Sequence, residues 1–287
     1  MVITGDNGIN GTVESAFSLG YRGWVPGALR DALRGDRLVL CLALLNARTP
    51  DVPAVAAACG YDAVYVDLEH TSCSLETAGM LCVAALGAGI SGLVRVPSHD
   101  PTVIARVLDA GAVGVIVPHV NSAQEARAVV DAARFPPVGH RSISGPNAVS
   151  GYVPCPASEL TETLERHTVV AVMIETPDAV AASDEIAAVD GVDMVLLGPS
   201  DLTAEMGIHG QYENEHFHRA VDSVAAACRA HGVALGVAGI KSVDLLERFA
   251  GLGLRFISAG TDVGMMIEAA TARAHALRDL ERRAASR

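Results

Sequence analysis

The chain of 287 residues is half hydrophobic and carries a formal net charge of -12. Its length suits either one barrel of about 250 residues or two smaller domains, and its acidity argues against a nucleic-acid partner, because phosphate binding needs clustered Lys and Arg. The sequence contains neither a secretory signal nor a plausible membrane span, and its six cysteines without a CxxC pair predict reduced thiols in a cytoplasmic protein.

The first ~30 residues are rich in Gly and have no clear hydrophobic period. We therefore expect residues 1–30 to form an extension and residues 31–287 to form a single domain. Beyond the extension, short runs rich in Val, Ile and Leu predict buried parallel strands. The predicted strands are "LVLCLALL" (38–45), "DAVYVDL" (62–68), "GLVRVP" (92–97), "GVIVPHV" (114–120), "VVAVMIE" (169–175), "DMVLLG" (193–198), "VALGVAG" (233–239) and "RFISAG" (255–260).

Between these runs, Ala and Leu recur three and four residues apart, which predicts amphipathic helices such as "SLETAGMLCVAALGAG" and "HFHRAVDSVAAACRAHG". Eight strand–helix units in one chain predict a (β/α)8 TIM barrel. An open doubly wound sheet is the alternative, although such a sheet would not need eight strands. Residues 139–168 are too long for an ordinary connection, so we expect a functional or interaction element there.

Polar residues follow the ends of several predicted strands. They are Asn46, Asp67, Glu69 and His70, Arg95, His119, Glu175, Ser200 and Asp201, and Asp262. Catalytic groups of TIM barrels lie at the C-terminal ends of the strands, so these side chains are expected on one rim.

Glu175 and Asp201 each follow a buried apolar run, where an unpaired charge is costly. Two such carboxylates suggest a metal site, and two hard oxygen ligands favour Mg²⁺ or Mn²⁺. Structural alternatives exist for each residue taken alone. Either carboxylate could cap a helix, Arg95 could serve only as an ion-pair partner, and His70 could be a core histidine.

The motifs "YVDLEHTSCS", "LVRVP", "LDAGAVGVIVPHV", "PPVGHRSIS", "MIETPDAV" and "GVDMVLLGPSDLTAEMG" together resemble the HpcH/HpaI aldolase family over roughly residues 26–270. This family contains metal-dependent aldolases such as 4-hydroxy-2-oxoheptanedioate aldolase and 2-keto-3-deoxy-L-rhamnonate aldolase, and macrophomate synthase also belongs to it. The resemblance implies a TIM barrel of the phosphoenolpyruvate/pyruvate-binding type.

The resemblance further implies that Glu175 and Asp201 bind the divalent cation, which acts as a Lewis acid and stabilises the enolate of a 2-oxo acid. By similarity His70 is the acid–base residue and Arg95 stabilises charge on the keto oxygen. The family's second carboxylate corresponds to Asp109, which is expected far from the rim unless it acts across a subunit interface. Asp67 is a nearer candidate partner for His70, and the turn Gly198-Pro199-Ser200 would hold the substrate carboxylate.

Some positions depart from the family pattern. Met173 stands where relatives commonly have a substrate-contacting Gln, Leu68 where they have a small residue, and His119 where they have a hydrophobic residue or Tyr. These departures predict an altered pocket around intact metal-and-base machinery.

We therefore expect a metal-dependent carbon–carbon lyase that acts on 4-hydroxy-2-oxo acids through a pyruvate enolate, with oxaloacetate decarboxylation as a permitted side activity. A specialised carbon–carbon bond-forming enzyme similar to macrophomate synthase is one alternative, and a barrel that binds a 2-oxo acid without turnover is another. The expected partners are a small 2-oxo acid and an aldehyde. The resemblance implies a homo-oligomer, often a hexamer, in which the last helix packs on a neighbour.

Overall fold

The computed structural model describes residues 27–285, apart from the side chains of residues 284 and 285. Most of the expected N-terminal extension therefore lies outside the described residues. The end of that segment belongs to the first helix, α1 (Ala28–Arg34), which packs against the barrel.

Eight parallel strands pair in chain order, and the last pairs with the first, so the predicted barrel is confirmed. The strands are β1 (Val39–Leu44), β2 (Ala63–Asp67), β3 (Ser91–Arg95), β4 (Gly114–Val117), β5 (Val169–Ile174), β6 (Met194–Leu197), β7 (Ala234–Ala238) and β8 (Leu254–Thr261). Each of the eight apolar runs contains one of them, and the observed strands are mostly shorter because the polar ends of the runs are already loop.

The helices on the outside of the barrel begin at predictable caps. They are α2 (Val52–Ala58), α3 (Leu75–Gly87), α4 (Pro101–Asp109), α5 (Ala123–Ala133), α6 (Ala157–His167), α7 (Pro177–Ala181), α8 (Ser183–Ala187), α9 (Pro199–Glu205), α10 (Glu215–His231), α11 (Val243–Gly251) and α12 (Asp262–Ala285). The side chains of Ser74, Ser122 and Ser242 accept backbone N–H groups at the starts of their helices. Gly232 ends α10 in the left-handed conformation, as the sequence predicts.

Two hydrophobic clusters follow from the alternation of side chains along each strand. The larger lies between the strands and the helices, and the smaller fills the barrel with residues such as Cys41, Leu93 and Phe256. Ala148 and Val149 from the long segment 139–168 join the inner cluster beside Val113, which precedes β4. The segment therefore helps to close the N-terminal end of the barrel, opposite the rim that carries the polar residues. No helix among residues 27–285 is long and apolar enough to cross a membrane.

Candidate active site

The C-terminal rim of the barrel receives inward-facing side chains from five neighbouring strands. Because alternate strand residues face the same way, an apolar residue of the inner cluster often precedes the polar rim residue by two positions. Such pairs are Tyr65 and Asp67, Leu93 and Arg95, Met173 and Glu175, and Leu196 and Gly198.

Asp67 and Arg95 form a bidentate ion pair at the floor of this rim. Arg95 Nε and Nη2 donate to the two Asp67 oxygens at 2.9 and 2.7 Å, and the Asp67 side chain is fully buried. Burial alone would raise the pKa of Asp67, but the hydrogen bonds from Arg95 and from backbone N–H groups outweigh it and lower that pKa. Burial likewise opposes the charge of Arg95, yet the bond to Asp67 raises its pKa. Both groups are therefore held charged.

Glu69 lies at the centre of the cluster. Its Oε2 is 3.1 Å from Arg95 Nη1 and 3.6 Å from His70 Nε2, while its Oε1 is 3.2 Å from His119 Nε2. The Oε2 atom is buried and, despite these short distances, has no aligned hydrogen bond among the described residues. Glu69 thus links the arginine to both histidines.

His119 bridges two carboxylates, because its Nδ1 is 3.2 Å from Glu175 Oε2 while its Nε2 faces Glu69. Its backbone has a positive φ of 53°, which is uncommon for a residue other than Gly. Asn121 holds this loop by donating to the His119 carbonyl at 3.0 Å and by accepting from Thr176 Oγ1 at 2.6 Å. The loops after β4 and β5 are therefore fixed together, with His119 directed into the site.

Glu175 is only 2% exposed, and a close approach of Gly198 shapes its surroundings. A Cβ at Gly198 would lie 2.6 Å from Glu175 Cγ, so only Gly leaves room for this carboxylate. Burial raises the pKa of Glu175 to about 7, while His119 opposes the rise and the charges of Glu69 and Asp201 add to it. Its Oε1 is buried without a hydrogen-bond partner among residues 27–285.

Asp201 lies in the first turn of α9 and is exposed, near enough to Glu175 to raise its pKa. It does not cap this helix, since Gly198 occupies the cap position without a side-chain bond. The turn offers a smaller anion cradle than the sequence suggested. Gly198 N–H donates to the Ile174 carbonyl, and Pro199 has no N–H. Ser200 remains, with a backbone N–H and a hydroxyl 3.3 Å from the Tyr212 hydroxyl.

The structure places His70 on the rim but separates it from one expected partner. The His70 side chain is 60% exposed and its ring faces Glu69. Asp67 contacts the His70 backbone N–H, at 3.4 Å, and not the ring. Asp109 ends α4, on the side of the barrel opposite the rim, where it accepts from Arg141 Nη2 at 2.7 Å. Within one chain, Asp109 and His70 are therefore not brought together.

Two apolar or aromatic residues line the floor beneath the charged cluster. Met173 is 2% exposed and fills the position two residues before Glu175. The Tyr65 ring lies under Arg95, with its centroid 5.8 Å from the guanidinium carbon, and its hydroxyl is bonded to Ser258. Such a cation–π contact stabilises the guanidinium in a fixed plane.

Glu69 and His119 are members of the cluster whose roles sequence reasoning did not assign. Both follow strand ends, as the assigned residues do, and that position is the only signal the sequence gives. His119 stood out as a departure from the resembled family, but its contact with Glu175 depends on a positive φ that residue type alone does not predict.

A divalent cation fits the donors of this site. Glu175 Oε1 is a buried carboxylate oxygen without a hydrogen bond, and the neighbouring Asp201 supplies a second hard oxygen ligand. Among the described residues no three His, Cys, Asp or Glu side chains converge as a complete metal-binding group. A cation here would therefore need substrate and water oxygens to complete its coordination.

Comparison with known proteins agrees with this geometry. A family described as HpcH/HpaI aldolase/citrate lyase matches residues 41–269. The 4-hydroxy-4-methyl-2-oxoglutarate aldolase tasA of Hapsidospora irregularis is 38% identical over 242 residues, covering 83% of this chain and 90% of that protein. An HpcH/HpaI aldolase structure from Desulfitobacterium hafniense is 30% identical with a TM-score of 0.81, over 88% of this chain and 96% of that one. Macrophomate synthase is 25% identical with a TM-score of 0.75, over 91% and 92% of the two chains.

Proposed function

The chain belongs to the HpcH/HpaI aldolase/citrate lyase family and is a carbon–carbon lyase of the divalent-metal-dependent type, and we propose that it cleaves or forms 4-hydroxy-2-oxo acids that carry a pyruvate half. The observation that carries this proposal is the buried Glu175 Oε1 without a hydrogen bond, beside Asp201 and open to the rim. Glu175 and Asp201 are the proposed ligands of Mg²⁺ or Mn²⁺.

The bound cation would supply Lewis-acid catalysis toward the 2-oxo acid. Arg95 is held charged and immobile by Asp67, so its remaining N–H groups are ready to stabilise negative charge on the keto oxygen. Ser200 offers its N–H and hydroxyl to the substrate carboxylate. In this assignment Met173 forms an apolar wall of the substrate pocket and cannot donate a hydrogen bond.

His70 is the proposed acid–base residue, since it is exposed to the mouth of the site and faces Glu69. In the cleavage direction it would accept the proton of the C4 hydroxyl as the C3–C4 bond breaks. The electron pair of that bond passes into the 2-oxo acid half, and a proton added at C3 completes pyruvate. The other product is the carbonyl compound formed from C4.

The test is pyruvate release from oxaloacetate and from a panel of 4-hydroxy-2-oxo acids, with Mg²⁺, Mn²⁺ or EDTA. We expect release with either metal and none with EDTA, and we expect Glu175→Gln to abolish it without unfolding the protein. Full activity of Glu175→Gln would overturn the metal assignment. Metal-independent or absent release by folded protein would favour a bond-forming reaction on another donor, like that of the structurally similar macrophomate synthase.

The chain is also proposed to be a homo-oligomer, with a hexamer as the form implied by resemblance. Helix α12 has 24 residues, and from Met265 onward nearly all of its described side chains are exposed. Exposed Met266, Leu277 and Leu280 fall within about 60° of one another around the helix axis, because successive residues turn by about 100°. A long helix with an uncovered apolar stripe is unstable alone, which supports packing on a neighbouring copy.

A cytoplasmic location is the last part of the proposal. All six cysteines are free thiols, and three of them are buried. Burial raises the pKa of Cys82 and Cys228 to about 12 and keeps these thiols unreactive. Free thiols of this kind suit a reducing compartment.

A further inference from the structure

Lys241 is the single lysine of the chain, whose 21 basic residues are otherwise arginines. It follows β7 by three residues and therefore lies at the rim where the strands end. It is exposed, and no hydrogen bond or ion pair joins it to any residue between 27 and 285. In a chain with a net charge of -12, an unpaired cation at this rim is a ready attachment point for an anionic substrate.

A cavity of about 460 Å³ opens beside Lys241, between the ends of β7 and β8 and the starts of α11 and α12. Its walls are largely apolar and include Ile240, Leu246 and Met265. Lys241 and Glu268 are the two charged residues of the lining. A concave apolar space with few charged groups is typical of a site for a small molecule.

The cavity shares its inner wall with the candidate active site. Gly239 lines the cavity, and a Cβ on it would lie 3.9 Å from Ser200 Oγ, beside the turn assigned to the substrate carboxylate. Ser258 also lines it and is bonded to Tyr65, whose ring supports Arg95. A substrate held by Ser200 and Arg95 could therefore extend its other half into this space.

We propose that this cavity is the subsite for the acceptor half of the substrate, and that Lys241 binds a carboxylate carried on that half. The inference rests on the proposed aldolase function and names its substrate class, a 2-oxo acid with a second carboxylate beyond the bond that breaks. Arg95 cannot take this role, because Asp67 and Glu69 already engage three of its nitrogen atoms. Glu268 disfavours a second negative charge in the cavity, so the acceptor is a monoanion such as a small 2-oxo acid.

Arg48 is the rival cation, since it lies in the loop after β1 and donates only to the neighbouring Ala47 carbonyl at 2.8 Å. It does not line the cavity between β7 and β8. Arg48→Met is therefore the matched control for Lys241→Met, because each change removes one rim cation and retains a flexible apolar side chain.

The experiment compares two substrates that differ at C4 only. One is 4-hydroxy-4-methyl-2-oxoglutarate, which is cleaved to two molecules of pyruvate, and the other is 4-hydroxy-2-oxovalerate, which has hydrogen in place of the C4 carboxylate and yields pyruvate and acetaldehyde. We expect Lys241→Met to lower the preference for the dicarboxylate, as the ratio of kcat/KM values, by about tenfold through KM. Lys241→Arg should keep the preference, and Arg48→Met should leave the ratio unchanged. An unchanged ratio in Lys241→Met, or an equal loss on both substrates, would overturn the assignment.

A binding measurement separates failure of this subsite from failure of the proposed function. Calorimetry with Mg²⁺ would compare 2-oxoglutarate with 2-oxovalerate, which lack the C4 hydroxyl and cannot undergo the cleavage. If the wild-type protein cleaves neither substrate but prefers 2-oxoglutarate through Lys241, the aldolase proposal fails and the carboxylate site stands. If it cleaves both and Lys241→Met changes neither the kinetic nor the binding preference, the subsite fails and the aldolase proposal stands.

Discussion

At the scale of single residues, the buried carboxylate Glu175 determines how the site responds to pH. Burial raises its pKa from the ordinary 4.5 to about 7, so between these values the folded state binds more protons than the unfolded chain. The stability that this group contributes is fully present below pH 4.5 and is lost as the pH rises through about 7. A charged Glu175 without a cation thus destabilises the fold at alkaline pH.

Glu175→Gln should therefore raise the Tm of the metal-free protein at pH 8, and the difference should vanish near pH 4.5. The interval from 4.5 to about 7 corresponds to at most about 3 kcal/mol, or several degrees in Tm. Added Mg²⁺ should stabilise the wild type and leave the variant unaffected. Calorimetry in EDTA and in Mg²⁺ measures both effects, with exposed Glu185→Gln as the control. Equal Tm values for wild type and variant at pH 8 would contradict the expectation.

Gly198 offers a second test at this scale. Its backbone is not in the left-handed region, so an added methyl group acts only through its 2.6 Å approach to Glu175 Cγ. We expect Gly198→Ala to displace the Glu175 carboxylate and to weaken Mg²⁺ binding at least about tenfold, with the barrel still folded. The matched control is Gly87→Ala in α3, where a Cβ meets nothing within 4 Å. Unweakened Mg²⁺ binding to Gly198→Ala, measured by calorimetry, would argue against Glu175 as the ligand.

Sequence reasoning placed the site residues well but not their contacts. Strand ends located Asp67, Arg95 and Glu175 on one rim, because the barrel topology converts position along the chain into position in space. It could not show that Asp67 binds Arg95 instead of the His70 ring, because side-chain pairing depends on rotamers and loop paths. It also overestimated the anion cradle of the Gly198 turn, since the Gly198 N–H is used by Ile174.

At the scale of elements, β/α alternation and apolar runs were sufficient to predict all eight strands and the closed order. The sequence did not show how the seam between β1 and β8 is fixed. Asp262, the first residue of α12, accepts the backbone N–H groups of Leu45, Asn46 and Ala47 at 3.0, 3.0 and 2.6 Å. This carboxylate holds the loop after the first strand against the end of the last, so its position on the rim reflects a structural contact.

Asp262→Ala should loosen that loop while the barrel persists. We expect a loss of about 1–2 kcal/mol in the free energy of unfolding, because three N–H groups lose a charged acceptor and partly gain water. Amide hydrogen exchange should speed up at residues 45–47 in particular. Asp262→Asn, which keeps one acceptor oxygen, should have a smaller effect. Asp279→Ala, near the other end of α12, is the control, and protection of residues 45–47 that is unchanged in Asp262→Ala would contradict the proposed contact.

At the scale of the whole molecule, two features of the described chain point beyond it. The apolar stripe of α12 is uncovered. Asp109 is on the opposite side of its own barrel from His70, paired with the buried Arg141. Both fit an assembly in which the N-terminal side of one barrel meets the rim of the next, so that Asp109 serves the His70 of a neighbouring subunit.

Subunit complementation tests this arrangement directly. His70→Ala and Asp109→Asn chains, each inactive or strongly impaired, would be co-expressed with different tags and purified as mixed oligomers. If Asp109 acts on a neighbour, roughly a quarter of the sites in a random symmetric mixture regain both groups, and activity should recover to that extent. If it acts within its own chain, every site lacks one group and the mixture stays inactive. Adding Leu277→Glu to both chains should place a charge on the α12 stripe, disperse the oligomer in size-exclusion chromatography and remove any recovery, whereas His275→Glu, about 180° away on the helix, should not.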